Sequence, residues 1–210
     1  TDPLARDVAS RLLHATRTSL GAALLATGAA TAIGVLVGAI AGAAGRRVDA
    51  AIMRTLDACM ALPRLVLLLV VATFWRALPP AALALVVGAL SWFALARLVR
   101  ARVRELRARD FVAAAEALGA RPSRVLARHV APHVAGTVAV SASALLVDVL
   151  LLETTLSFLG LGVHPPAASW GSMIQDGAEK LLSAPWTAGA PIACVVAVSM
   201  SVFALVDRER

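Results

Sequence analysis

The chain is 210 residues long, 60% hydrophobic and only 16% charged, with a mean hydropathy of +0.81. Soluble domains carry about a quarter charged residues, so this balance excludes an ordinary soluble domain, and the apolar content excludes disorder. The two cysteines, Cys59 and Cys194, lie in apolar runs and exclude a disulfide scaffold, while the formal charge of +7 leaves a nucleic-acid partner and a biased membrane topology both open.

The first 17 residues lack the basic region, apolar core and small-residue cleavage site of a signal peptide. Asp2-Pro3 reads as an N-cap followed by proline at the first helical position. Leu4, Val8 and Leu12 then recur every four residues, which predicts a short amphipathic outer segment over 1–17. Thr18 to Gly45 follows with 28 residues free of formal charge, more than the roughly 20 that cross a bilayer. Ala50 to Trp75 is interrupted by Arg54, Asp57 and Arg64; its pure part, Leu65–Trp75, is 11 residues, so its charged start belongs at the interface. Ala77 to Ala96 is uncharged over 20 residues, Val130 to Leu159 is apolar apart from Asp148 and Glu153, and Leu181 to Val206 adds 26 uncharged residues. The expectation is an all-α polytopic membrane protein with about five transmembrane helices in one domain over 1–210.

Counting charges between those spans resolves the basic excess. With five crossings, the loops 46–64 and 97–129 and the C-terminal tail share one side and hold 15 of the 20 basic residues. Arg6, Arg11, Arg17, Arg76 and Lys180 lie on the other. The arginine-rich side is the cytoplasmic one by the positive-inside rule, which puts the C-terminus in the cytoplasm and removes the case for nucleic acid.

The segment 97–133 is the longest polar stretch. Arg97, Arg100, Arg102, Arg104, Arg107 and Arg109 read as a collar of snorkelling side chains at the interface. Phe111 to Leu118 is a short helix of strong formers, and Gly119 ends it in the left-handed conformation. Pro122 restarts a helix near its first position, which runs through Val125, Leu126 and His129 to Pro132. The pattern predicts a helix–glycine–helix elbow suited to a groove on another protein, with packing against the chain itself as the other reading. His129 and His133 share a helical face at a spacing that can bind metal, but their place in the elbow favours surface histidines and no metal site.

These residues resemble a known family. The run Ala114-Ala115, Gly119, Pro132 is similar to the EAA loop of permease subunits of ATP-binding-cassette importers, in which Glu-Ala-Ala, three residues, Gly, nine residues and Ile-x-Leu-Pro follow in order. More narrowly the chain resembles the C-type permease of the dipeptide/oligopeptide/nickel family, with Val48-Asp49, Ala61-Leu62-Pro63, Ala96-Arg97-Leu98-Val99-Arg100, Glu153, Leu156 to Gly162, Ser169-Trp170-Gly171 and Ala184-Pro185-Trp186 in sequence. The family glutamate falls at Ala113, its leucine before the proline is Ala131, and its asparagine after it is His133. Relatives carry a membrane helix before the position of Thr1, so the chain is expected to be truncated or to cover part of a longer parent.

The resemblance implies the type I (MetI-like) importer permease bundle in a bacterial inner membrane, without cofactor or catalytic site. It implies a heterodimer with a second permease subunit, two ATP-binding-cassette ATPase subunits docking on the loop at Ala113, Ala114, Ala115, Glu116, Gly119 and Pro132, and an extracytoplasmic substrate-binding protein at the outer loop 160–180. The chain has no Gly-x-x-x-x-Gly-Lys-Ser/Thr phosphate loop of its own. The substrate is a di- or oligopeptide, or alternatively nickel or another metal chelate; a degenerate, non-transporting partner subunit is a further alternative. An intramembrane protease, the different-class alternative, needs a base beside its nucleophile, and no histidine lies in a span interior near a Gly-x-Ser-Gly block. Asp148 and Glu153 are expected to line the path, because a charge in a span must face a bundle interior or water. For Glu153 a structural role near the outer interface, bonded to Thr154, Ser157 or loop backbone, is the favoured reading; for Asp148 a partner is sought in Arg64 or Arg76.

Overall fold

The computed structural model describes residues 7–75, 79–164 and 167–208. The Asp2-Pro3 helix start, Arg76 and Pro165-Pro166 lie outside the described residues. In chain order the elements are α1 (Val8–Ala43), α2 (Arg46–Ala61), α3 (Arg64–Phe74), α4 (Pro80–Ala89), α5 (Phe93–Arg107), α6 (Asp110–Ala117), α7 (Pro122–Val125), a π-turn (Leu126–Val130), α8 (Ala131–Phe158), α9 (Trp170–Ala178) and α10 (Trp186–Arg208). No strand occurs among the described residues. Val8–Ala43, Pro122–Phe158 and Trp186–Val206 are each long and apolar enough to cross a membrane, and counting α2 with α3 and α4 with α5 as broken spans brings the number up to five. The charge-free runs therefore mark the helices as expected. The amphipathic stretch before Thr18 differs: from Val8 onward it forms the first turns of α1 and is no helix of its own, because no glycine or proline interrupts it.

Two compact units divide the chain, the first drawing on the described residues within Thr1–Ala29, Pro63–Leu90 and Ser143–Arg210, the second on Ala30–Leu62 and Ser91–Ala142. In the first, α1 turns Ala15, Ala22, Ala23 and Ala26 inward against Leu83, Val87, Leu150 and Leu156. Small side chains let helices approach closely, and the approach is tight: a Cβ on Gly88 of α4 would lie 2.6 Å from the Ala26 carbonyl oxygen. The short α9 is fastened by Trp170, 1% exposed, whose backbone N–H donates to Ser19 Oγ at 3.0 Å and whose indole N–H donates to Thr16 Oγ1 at 3.2 Å. Ser169 and Ser172 close a capping box at its start. Gly177, near its end, sits where a Cβ would be 2.6 Å from the Ala188 nitrogen of α10.

The second unit is joined along a glycine seam. Gly34, Gly38 and Gly42 recur every four residues on α1 and face α5, where Leu95, Val99 and Val103 recur at the same interval and are buried. A Cβ at Gly38 or Gly42 would come within 2.8 Å of Val99 Cβ or Val103 Cβ respectively. Glycine there exchanges helix propensity for contact between backbones.

Candidate functional site

The elbow is built as its sequence predicts up to Gly119. Asp110 opens α6, where a carboxylate favours the positive end of the helix dipole. Val112 is buried and anchors the helix, while Ala113, Ala114, Glu116 and Leu118 are exposed and Ala115 is half-buried. Gly119 has φ +84, its N–H donates to the Glu116 carbonyl at 2.9 Å and that of Ala120 to the Ala115 carbonyl at 3.1 Å. Those two bonds are a Schellman motif, which a left-handed glycine permits.

Beyond it, Pro122 stands at the first position of α7 as predicted. The helix does not stop at Pro132. Instead Leu126–Val130 widens into a π-turn, the Ala131 N–H bonds the Leu126 carbonyl, and Pro132 becomes the second residue of α8. Proline lacks an N–H and its ring crowds the carbonyl four residues back, so one wider turn admits it while the helix continues.

Side chains brace the elbow from below. Arg107 donates to the Ala43 carbonyl at 2.5 Å and lies 3.8 Å from Glu116. The Phe111 and His133 rings meet at 5.6 Å between centroids, tilted by 49°. Beside Arg107 a cleft of about 180 Å³ opens between Ala43, Pro122, Ser123, Val125, Leu126 and Val130.

The arginines of α5 are a clamp, not the snorkelling collar that the sequence suggested. Arg100 grips both carboxylate oxygens of Asp49, Nη2 to Oδ2 at 2.6 Å, and Arg104 adds a bond to the same carboxylate at 2.8 Å. Arg97 pairs with Asp57, and Glu105 takes Arg102 at 2.6 Å and Arg109 at 3.2 Å. Asp49 is 5% exposed, and a buried carboxylate needs such partners. The signal was present in the spacing: Asp49 and Asp57 share a face of α2, Arg97, Arg100 and Arg104 share a face of α5, and an antiparallel crossing brings them together. Among the described residues, Arg121, Arg124 and Arg128 of the elbow have no carboxylate partner.

Asp148 and Glu153 occupy different surroundings in the first unit. Asp148 is half-exposed and meets Arg64, with Nη2 2.9 Å from Oδ1 and 2.8 Å from Oδ2. Glu153 is 2% exposed and accepts from Ser157 Oγ at 2.8 Å. That hydroxyl in turn accepts the Val163 N–H at 3.3 Å, tying α8 to the loop that follows it. The other carboxylate oxygen of Glu153 has no hydrogen-bond partner among the described residues, and Glu153 is one of the residues lining a void of about 10 Å³, near the size of one water. Thr154 makes no bond to it.

The family described as binding-protein-dependent transport system inner membrane component matches residues 34–209. A Brucella suis biovar 1 protein named as a peptide permease is 40% identical over 210 residues, which cover 95% of this chain and 68% of the relative. The oligopeptide transport system permease OppC and the dipeptide transport system permease DppC of Bacillus subtilis are each 34% identical over 89% of this chain, and the chain spans 61% and 58% of their lengths. A chain of the MetNI methionine ABC transporter in inward-facing conformations superposes with a TM-score of 0.77 over 100% of this chain and 99% of that one, at 14% identity. That last likeness concerns the fold alone.

Proposed function

The chain belongs to the family of binding-protein-dependent transport system inner membrane components, and on that premise we propose that it is a permease subunit of an ATP-binding-cassette importer for di- or oligopeptides. A second permease completes the path, two ATPase subunits bind and hydrolyse ATP, and an extracytoplasmic binding protein delivers substrate to the outer loop 160–180. The peptide assignment is supported by the names of the relatives. The arginine bias supports a cytoplasmic face for the segment that carries Arg46, Arg47 and Arg54, for loop 97–129 and for the C-terminus; Arg64, at the end of the first segment, is set deeper by the start of α3.

The observation that carries this reading is the exposed elbow. Ala113 and Ala114, with Glu116 and Leu118 beyond them, are exposed on a segment pinned by Val112 and closed at Gly119, which suits docking into a groove on another protein. ATP binding moves the elbow only if its contacts differ between open and closed ATPases. α8 continues without interruption from Pro132 to Asp148, so a displacement of its inner end reaches the path. Asp148 lines that path; Glu153, buried and bonded to Ser157, serves it by holding the outer loop.

Replacing Gly119 by Pro, or deleting Ala113–Gly119, is expected to lower peptide uptake and substrate-stimulated ATP hydrolysis more than tenfold in the assembled complex. Unchanged values in both assays defeat the coupling role. Co-purification of the wild-type chain with an ATPase tests the importer reading itself.

A further inference from the structure

Resting on the importer reading above, we propose that Arg64 and Asp148 form a charge-exchange site for the two termini of a zwitterionic peptide. With the C-terminal ends of α8 and α3 set at the outer membrane surface, two helical rulers put the pair near mid-bilayer. Asp148 stands ten residues before Phe158, the outer end of α8, or about 15 Å at 1.5 Å per residue. Arg64 is the first residue of α3, an 11-residue helix of about 16 Å. Each length is half of a hydrocarbon core about 30 Å thick.

At that depth the side chains are 31% and 48% exposed on this chain. Charged groups do not face lipid tails at mid-bilayer; they turn to a bundle interior or a water-filled cavity. Pro63 precedes Arg64 in extended conformation and is exposed. Non-helical backbone at membrane depth is likewise confined to protein or water. Ala144, one turn inward from Asp148 on α8, is exposed as well.

The chemistry then selects the ligand. Empty, the site is neutral, because each charge satisfies the other. A peptide with free termini brings one ammonium and one carboxylate. The carboxylate can take the Arg64 guanidinium through two parallel bonds, the ammonium can take Asp148, and one internal ion pair becomes two without moving a proton. A metal cation satisfies Asp148 alone and leaves Arg64 against a like charge. The arrangement therefore favours a zwitterion over a metal ion.

The test uses the complete complex in proteoliposomes with its ATPases and binding protein, and a free-terminus peptide that the wild type imports. Arg64→Gln and Asp148→Asn are each expected to reduce uptake at least tenfold. The double variant R64Q/D148N retains a hydrogen-bonded, uncharged pair; it should assemble like wild type yet import the peptide no better than the single variants. Normal import by the double variant means that the pair is only a staple and overturns the proposal. Independently, with Cys59 and Cys194 replaced, Ala144→Cys should react with a water-soluble thiol reagent several-fold more slowly during peptide turnover, and failure to react at all overturns it too. A wild-type complex that imports metal chelates but no peptide defeats the importer-of-peptides reading and the inference together, an outcome distinct from the others.

Discussion

In the segments of the first unit eight basic residues face eight acidic ones, whereas those of the second hold twelve arginines against five carboxylates, so the entire +7 resides in the second. Their means of cohesion differ accordingly. The first unit closes over a broad apolar core with a polar knot at Glu153 and Ser157. The second relies on a narrow glycine seam and on carboxylates that each serve two arginines, Asp49 and Glu105. Asp49, Asp57, Glu105 and Glu116 pair with arginines at 97–109, and among the described residues the cations without a carboxylate partner include Arg121, Arg124 and Arg128 on the elbow and Arg46, Arg47 and Arg54 on α2. One unit keeps a net positive charge that its own carboxylates do not balance; in the other the formal charges cancel.

That contrast can be broken where it is narrowest. Gly38→Leu drives a side chain into the Ala96 carbonyl and Val99 and is expected to abolish well-folded protein, read as loss of a monodisperse peak in detergent; a normal yield would show that the seam does not join α1 to α5. Next in size, Asp49→Ala leaves Arg100 and Arg104 without their carboxylate. It should destabilise the protein by about 2 kcal/mol, below the usual loss for a broken buried pair because Arg104 reaches solvent. The thermal midpoint should fall, and Asp49→Ala with Arg100→Ala should recover part of the loss. The smallest effect belongs to the first unit: Arg11→Ala removes a pair with the half-exposed Asp176 and should cost about 0.5 kcal/mol. If Arg11→Ala lowers the midpoint as far as Asp49→Ala, the two units do not differ in how they use charge.

The helices were legible because a bilayer imposes length and apolarity; Leu181–Val206 falls within about five residues of α10, and Thr18–Gly45 meets the end of α1 but misses the ten residues by which it begins earlier. Gly119 was legible because a left-handed cap has few alternatives to glycine. The clamp on Asp49 was legible only as two matching faces, because its partners lie 51 and 55 residues away and a row of arginines beside a span has an equally good local explanation. Pro132 misled for a related reason. Proline announces an interruption, but whether the backbone stops, kinks or widens depends on the turn before it. The Arg64–Asp148 pair was legible as one of two pairings, Arg64 or Arg76 against Asp148, and the structure pairs Asp148 with Arg64.

The π-turn at Leu126–Val130 has a consequence for aim. A turn with one residue more than an α-turn alters helix length little, yet each residue along an α-helix advances its direction by about 100°. The elbow and the first turns of α8 belong to the same unit, so this widened turn sets their mutual phase. Adding or removing a single residue there would swing Ala113, Ala114 and Leu118 toward another quarter of the compass while leaving the sequence of that exposed segment untouched.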